Sequence, residues 1–253
     1  MQPLSHGIYT ARLAATPGDL RAALALRHLR FRELRGLPGG AGDADAFDDI
    51  CTHVLVTNAS GDLVCCFRVL PFAVGADLDR SYAAQFYDLT TLRHLSRPAL
   101  ELGRFCLHPD HGHPDILRLA WAALTRLVDA AGAGMLFGCS SFDGADPARH
   151  RAALGHLARL HIGPAGLAPD AVNPAVLPAN QLRLSANDAT LRPSDMPPLL
   201  RTYLAMGGWV SGHAVIDHDL NTLHVFTGLE IAAIPPNRAR ALRALAALPH
   251  TGS

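Results

Sequence analysis

The chain of 253 residues contains no lysine, so its 22 basic residues are all arginines. That absence removes Schiff-base chemistry, a pyridoxal-phosphate anchor, the P-loop lysine and biotin or lipoyl attachment. Net charge is missing too. The 22 basic residues balance 22 acidic ones, which leaves no broad positive field for nucleic acid. No apolar run approaches the ~18 residues needed to span a bilayer. The opening MQPLSHGIYT lacks the basic segment and apolar core of a signal peptide, so a cytoplasmic protein is expected. Cys51, Cys65, Cys66, Cys106 and Cys139 form no CxxC pair, and three of them stand in apolar, strand-like runs. They read as buried free thiols.

What is present is enough for a sizeable core, with 49% hydrophobic residues. The densest chemistry lies in Arg97 to Trp121, RPALELGRFCLHPDHGHPDILRLAW. Ala99 to Leu107 is apolar and bounded by Pro98 and Pro109, the pattern of a central strand, yet it carries Glu101 and Arg104. A carboxylate there needs a pair or hydrogen bonds, so Glu101 is either a structural ion-pair partner or a tuned acid/base. Residues 101 and 104 face opposite sides of a regular pleat, and a direct pair between them requires a bulge, which Gly103 permits. The run HPDHGHP then forbids helix or ladder. From Asp115 to Ala131 apolar residues recur at helical spacing, and Gly134 to Ser141 reads as another buried strand. A strand, tight loop and helix in that order aim N–H groups at one point, a seat for a phosphate. The β-α-β order predicts parallel pairing of the two strands.

A carboxylate on the first strand, a phosphate seat at its end and a parallel partner resemble the active centre of the GNAT acyltransferase superfamily. Closer still, FDD at 47–49, FRVLP at 67–71, ELGRFCLHPD at 101–110 and LFGCSSFDGADP at 136–147 resemble the blocks of bacterial ornithine-lipid N-acyltransferases. MPPLLRTYLAMGGWVSGHAVIDHDLNT at 196–222 is similar to that family's C-terminal block. More distantly, the D-x-F-D, R-x-L-P and E-x-x-R-F order resembles acyl-homoserine-lactone synthases. The resemblance implies an α/β fold, a GNAT-like mixed sheet flanked by helices with a C-terminal elaboration. It also implies one domain over 1–253, with a donor half at 1–145 and a C-terminal half at 146–253.

The activity it implies is transfer of a long, 3-hydroxylated acyl group from acyl carrier protein to the α-amine of ornithine, giving lyso-ornithine lipid. Glu101 is the candidate base. Arg104, Phe105, Cys106, Leu107, His111 and Gly112 fall on the acyl-donor side, and Asp45, Asp48 and Arg68 on the amine-acceptor side. The donor's acyl-phosphopantetheine is a substrate, and no further cofactor and no metal are implied. The loop at 108–114 departs from the pattern that cradles the CoA pyrophosphate: it has one glycine and an acid. That weakens an acetyl-CoA assignment and suits the single phosphodiester of a carrier protein. An acetyl-CoA-dependent small-molecule acetyltransferase and a non-catalytic acyl- or carrier-binding module remain the alternatives.

Along the rest of the chain, Gly7 to Ala14 can open with a strand. Thr16 caps a helix running to about Arg35, in which Arg27, Arg30, Arg32 and Arg35 form a basic side. That side is either a solvated face or a surface for an acidic partner, which acyl carrier proteins are. Gly36 to Ala46 reads as a mobile loop. The acidic turn Asp45 to Asp49 either grips an ammonium or only turns the chain. Arg68 interrupts the strand-like run 63–70 and has three possible roles: holding Glu101, binding a substrate carboxylate, or bracing the acidic turn. Leu78 to Leu95 holds an amphipathic helical stretch, Pro147 to Leu160 a helix capped by Asp146, and 161–195 is the least legible segment. A helix at 197–206 and strands at 209–216 and 223–231 follow. The Arg/Ala/Leu helix at 236–248 either packs on its own domain or makes peripheral contact with the inner membrane. His108, His111 and His113 fit no standard zinc spacing. Cys106 is a conceivable acyl-enzyme nucleophile or a small residue of a buried strand.

Overall fold

A computed structural model describes residues 1–38, 42–172, 176–178 and 191–247. Residues 39–41 of the glycine-rich loop, much of the 161–195 segment and Leu248 of the tail helix lie outside the described residues. Two compact units emerge: Met1–Leu70 with Leu102–Gly132 and Pro236–Ser253, and Pro71–Glu101 with Ala133–Pro235. They interleave along the chain, and strand β6 (Ala99–Leu107) contributes to each.

In the first unit the strands β1 (Leu4–His6), β2 (Tyr9–Leu13), β3 (Thr52–Thr57) and β4 (Leu63–Phe72, to Leu70) lie in chain order, with β6 beside β4. The opening strand expected at 7–14 is β2, and β1 precedes it to make a hairpin. Gly7 sits at φ 59°, a left-handed turn that glycine adopts without strain, and β1 pairs antiparallel with β2 across it. Helix α1 (Pro17–Phe31) starts as its sequence demands: Thr16 accepts the Asp19 N–H and Asp19 answers in a capping box. It ends four residues earlier than expected, and a 3-10 turn at Glu33–Arg35 closes on Gly36 at φ 66°. Ala23 and Leu26 of α1 pack on Leu55, Cys66 and Cys106. Helix α2 (Pro114–Ala130) buries Ile116, Leu119, Ala120, Ala123, Leu124 and Val128, the predicted face.

The second unit holds residues 99–101 of β6, then β7 (Met135–Asp143), β11 (Thr222–Glu230), β10 (Trp209–Asp217) and β9 (Val176–Pro178) in that spatial order. As predicted, β6 and β7 are parallel, pairing Ala99 with Met135 and Glu101 with Phe137. Strands β7 and β11 stay in antiparallel register over nine pairs. In β10 the register shifts between Val210 and Ala214, where Ser211 Oγ donates to His213 O and accepts the Phe226 N–H. Helices α3 (Arg151–Leu160) and α4 (Pro198–Ala205) bury Leu154, Leu157 and Leu200 against Phe142, Val210, Leu223 and Val225. The helical stretch expected at 78–95 is a set of 3-10 turns around β5 (Tyr87–Asp88), which pairs with β8 (Asp170–Ala171). Its aromatic residues follow turn geometry rather than a 3.6 period. Among the described residues no helix is long and apolar enough to cross a membrane. Helix α5 (Pro236–Ala246) packs on α2 within the first unit, where Arg243 pairs with Asp129 at 2.9 Å.

Candidate active site

The sequence suggests that Gly103 would relieve a bulge between Glu101 and Arg104. The left-handed backbone conformation instead falls on Arg104 itself, at φ 50°, which a side-chain-bearing residue rarely adopts in a strand. Its side chain is anchored. In the first unit Arg104 Nε donates to Asp43 Oδ2 at 3.1 Å and its NH2 to Asp45 Oδ2 at 3.0 Å. Arg68 NH1 donates to Asp45 Oδ1 at 2.6 Å and Asp48 Oδ1 at 2.5 Å, and its NH2 to Asp45 Oδ2 at 2.8 Å. Arg27 NH1 reaches Asp48 Oδ1 at 2.5 Å and its Nε reaches Asp43 Oδ2 at 2.7 Å. The six side chains therefore close a ring of alternating charge: Arg27, Asp43, Arg104, Asp45, Arg68, Asp48 and back to Arg27. It is neutral as a whole. Buried charges persist when paired in this way, because each attraction acts across a poorly screened interior.

The sequence places Arg27 on the basic side of α1, at a position that helical spacing also allows on the apolar face with Leu20, Ala23, Leu24 and Phe31. It is 1% exposed, since its partners lie 16 and 21 residues further along and pull it inward. The acidic turn is knit together locally as well. Asp48 Oδ2 accepts the Asp45 N–H, Asp45 Oδ1 accepts the Phe47 N–H, and Phe47 lies 5.6 Å from the Arg68 guanidinium. Of the three roles open to Arg68, bracing this turn is visible. Burial would raise the Asp48 carboxyl, but hydrogen bonds from Arg27 and the Asp45 backbone with the nearby guanidinium charges bring it down to about 2. Asp45 is lowered for the same reason: burial opposes, and the Arg68 hydrogen bond with the Arg68 and Arg104 charges overrides it. Burial works against Arg68, and its bond to Asp45 more than compensates, so its guanidinium is raised. All are held charged.

Glu101 belongs to the second unit and is 5% exposed. Its Oε1 accepts the Ala83 N–H at 2.8 Å and its Oε2 the Tyr82 N–H at 2.9 Å, at the start of the 3-10 turn Ala83–Gln85. Two amide donors on one carboxylate stabilise its negative charge. Burial first, and the Glu101 charge second, raise the buried Tyr203 hydroxyl well above its ordinary value, so it stays protonated. Tyr203 carries no sequence signal, standing mid-helix in α4 as any core tyrosine would.

After Arg104, Phe105 stacks on Phe67 with centroids 5.4 Å apart, and Leu107 ends the strand half-buried. Cys106 Sγ lies 3.6 Å from Cys66 Sγ, and that contact with burial pushes its thiol well up, the opposite of an activated nucleophile. The strand's exit is tied by the His108 N–H to Val64 O at 2.9 Å. His111 then meets His108 ring to ring at 5.0 Å. Gly112 faces open space. His113 caps α2, its Nδ1 accepting the Asp115 N–H. The structure thus gathers Asp45, Asp48, Arg68 and Arg104 into one network and adds Arg27 and Asp43, which sequence reasoning did not assign to a site. Asp43 stands in a glycine-rich run that reads as a loop, and nothing in its local sequence signals its partners.

Residues 26–122 match the model of the acetyltransferase (GNAT) domain, which spans the ring, Glu101 and the start of α2. The L-ornithine N(alpha)-acyltransferase of Rhodobacter capsulatus is 34% identical over 250 residues, covering 92% of this chain and 92% of that protein. The Brucella abortus protein of the same name is 33% identical, over 90% of this chain and 86% of its own. Among solved structures, FeeM, an N-acyl amino acid synthase from uncultured soil microbes, superposes with TM-score 0.53 at 12% identity, over 88% of this chain and 92% of that one. That likeness shows the fold, a GNAT-like mixed sheet flanked by helices. Near-complete coverage at more than 30% identity settles the family: this chain is an acyltransferase that belongs to the L-ornithine N(alpha)-acyltransferases.

Proposed function

We propose that the protein moves a long-chain 3-hydroxyacyl group from acyl carrier protein to the α-amine of ornithine, giving lyso-ornithine lipid. The observation that carries this reading is the 34% identity with the Rhodobacter capsulatus enzyme over 92% of both chains, because it covers donor-side and acceptor-side segments alike. The chemistry is balanced without a cofactor. The ammonium loses a proton, the amine nitrogen bonds to the thioester carbonyl carbon and gives up a second proton, the C–S bond breaks, and the pantetheine sulfur takes up one proton and leaves as the thiol. Glu101 is the base in this reading, taking the proton directly or through a water while the Tyr82 and Ala83 amides hold its carboxylate in place.

On the donor side, backbone groups of Phe105 to Leu107 hold the pantetheine and polarise the carbonyl, with His111 and Gly112 beyond the strand end. On the acceptor side, Asp45 is the ring carboxylate with the greatest exposure, its side chain 24% accessible, and it meets the ammonium group. Asp48 and Arg68 hold Asp45 in place. A cytoplasmic enzyme in peripheral contact with the inner membrane suits an amphiphilic product.

The test is mass spectrometry of reactions containing 3-hydroxyacyl carrier protein and a panel of amino acids. The expected product is N-acylornithine in preference to all others. Turnover of a different amine with none on ornithine would overturn the substrate, and binding of the acylated carrier without turnover would overturn the reaction.

A further inference from the structure

The reaction just proposed leaves two ring members, Arg27 and Asp43, without a role. Asp43 is the most buried of the three acids, its side chain 1% exposed against 6% for Asp48 and 24% for Asp45. A single oxygen, Oδ2, accepts both the Nε of Arg27 at 2.7 Å and the Nε of Arg104 at 3.1 Å, while its backbone carbonyl accepts Arg27 NH2 at 2.5 Å. Its Oδ1 accepts no hydrogen bond from the described residues. A carboxylate placed only to neutralise two guanidinium groups gains by using both oxygens, since an unsatisfied buried acceptor is costly. One shared oxygen is instead the geometry of a spacer between Arg27 and Arg104.

The two ends of that spacer differ. Arg27 is fixed: it projects from α1, is 1% exposed and donates to Asp43 and Asp48 through four hydrogen bonds. Arg104 stands at φ 50°, a conformation that persists only where the surroundings hold it. A second bond, NH2 to Asp45 Oδ2 at 3.0 Å, joins the two most exposed members of the ring, 14% and 24% accessible. That pair offers a cation beside an anion, the complement of an amino acid's carboxylate and ammonium.

We infer that Asp43 is a positioning residue for acceptor binding: it couples the rigid Arg27 to Arg104 and so aims the Arg104–Asp45 pair at the amino-acid substrate. The inference rests on the reading in which Asp45 meets the acceptor. Its consequence is that loss of Asp43 should act on the acceptor even when the ring's charge is rebalanced.

The experiment is a double substitution in the full chain. Asp43→Asn alone leaves an unpaired buried guanidinium and should lower both Tm and kcat/KM for ornithine. Arg27→Met with Asp43→Asn removes one charge of each sign, so Tm should return toward the parent value while kcat/KM for ornithine stays down on the order of 10- to 100-fold, with the KM for acyl carrier protein unchanged. Recovery of kcat/KM together with Tm would overturn the inference and leave Asp43 as a counter-charge only. If neither variant folds, Arg104→Lys decides. It preserves the ring's neutrality but cannot reach both acids with a fork, so acceptor kcat/KM should fall, and unchanged kinetics would refute the positioning role. Should the parent enzyme prefer another amine, the ornithine reading fails on its own, and the same comparison is run with that amine.

Discussion

Arg68 and Asp45 meet as a two-pronged fork, NH1 to Oδ1 at 2.6 Å and NH2 to Oδ2 at 2.8 Å, while the same NH1 also serves Asp48 at 2.5 Å. One guanidinium thus ties a half-exposed acid to a buried one, and the two acids should respond differently to the same change. Asp48→Asn strips charge from between Arg27 and Arg68, both nearly inaccessible, and should cost about 3–5 kcal/mol of stability. Asp45→Asn should destabilise less and raise the KM for the amino acid while leaving acyl-carrier affinity nearly unchanged. Thermal melts alongside acceptor kinetics check both. Equal destabilisation with no change in acceptor KM would make the turn structural throughout.

The ring also sets a window of acid sensitivity. Asp48 titrates at about 2 in the folded protein and about 3.9 unfolded, so the unfolded state binds its proton first as pH falls. The stability it contributes is full above about pH 4 and disappears on the way down to about 2. Asp45, lowered in the same direction, adds to it. Denaturant melts between pH 5 and 2 should show this slope, and Asp48→Asn should flatten it. An equally steep slope in the variant would place the acid sensitivity elsewhere.

How much of this was legible beforehand depends on how far each partner lies along the chain. The strand at Ala99–Leu107, α2, β7 and the hairpin of β10 and β11 were readable because periodicity and flanking proline or turn residues act within a few positions. Arg27 was not, because what buries it is Asp43 and Asp48, whose carboxylates no local period signals. The turns at 78–95 misled for the opposite reason. Tyr82, Phe86 and Tyr87 have helical spacing, yet the Tyr82 and Ala83 amides are drawn to Glu101, 19 and 18 residues further on. The resemblance in sequence brought Asp45, Asp48, Arg68 and Arg104 into view, and their closure into a ring with two more residues came only from the fold.

A second titrating group was equally hidden. His224 on β11 is buried against Tyr87 and Phe86, with the Tyr87 hydroxyl 3.0 Å from its Nδ1 and also donating to its carbonyl at 3.2 Å. Burial lowers it to about 4, against about 6.5 unfolded, and the Asp217 charge opposes this only in part. Protonation therefore favours the unfolded chain, and stability should decline as pH falls from about 6.5 to about 4, then level for this group. NMR titration of the His224 ring should give a midpoint near the lower value. Tyr87→Phe should cost roughly 1–3 kcal/mol by leaving that ring nitrogen without its partner. A midpoint near 6.5 would mean that the ring is solvated.

Donor choice gives a fourth expectation. Long-chain acyl carrier protein should be used far better than acetyl-CoA, because the loop at 108–114 is poor in glycine, carries Asp110, and leads into a helix already capped by His113. Arg21, exposed on α1, with the half-buried Arg30, Arg32 and Arg35 offers an acidic carrier a basic surface, so turnover should fall as salt rises. Comparable kcat/KM for the two donors, or salt-independent turnover, would remove the carrier from the reading.

Glu101→Gln separates enzyme from binding module, and the structure alters what it should do. Shape alone suggests that Gln leaves the strand undisturbed. Both carboxylate oxygens, however, accept a backbone N–H, from Tyr82 and from Ala83. The amide oxygen of Gln can satisfy one of these, and its NH2 group then faces the other donor. The turn at Ala83–Gln85 should loosen at a cost of roughly 1–3 kcal/mol, a visible drop in Tm that leaves the protein folded. Loss of a positioned base should slow turnover by a further ~10²- to 10⁴-fold, equivalent to roughly 3 to 5 kcal/mol in the barrier. The pH profile distinguishes the two effects. If Glu101 is the base, the residual rate should climb with pH as free amine forms without help. A folded variant with near-parental kcat at neutral pH would leave Glu101 as the anchor of the turn and nothing more.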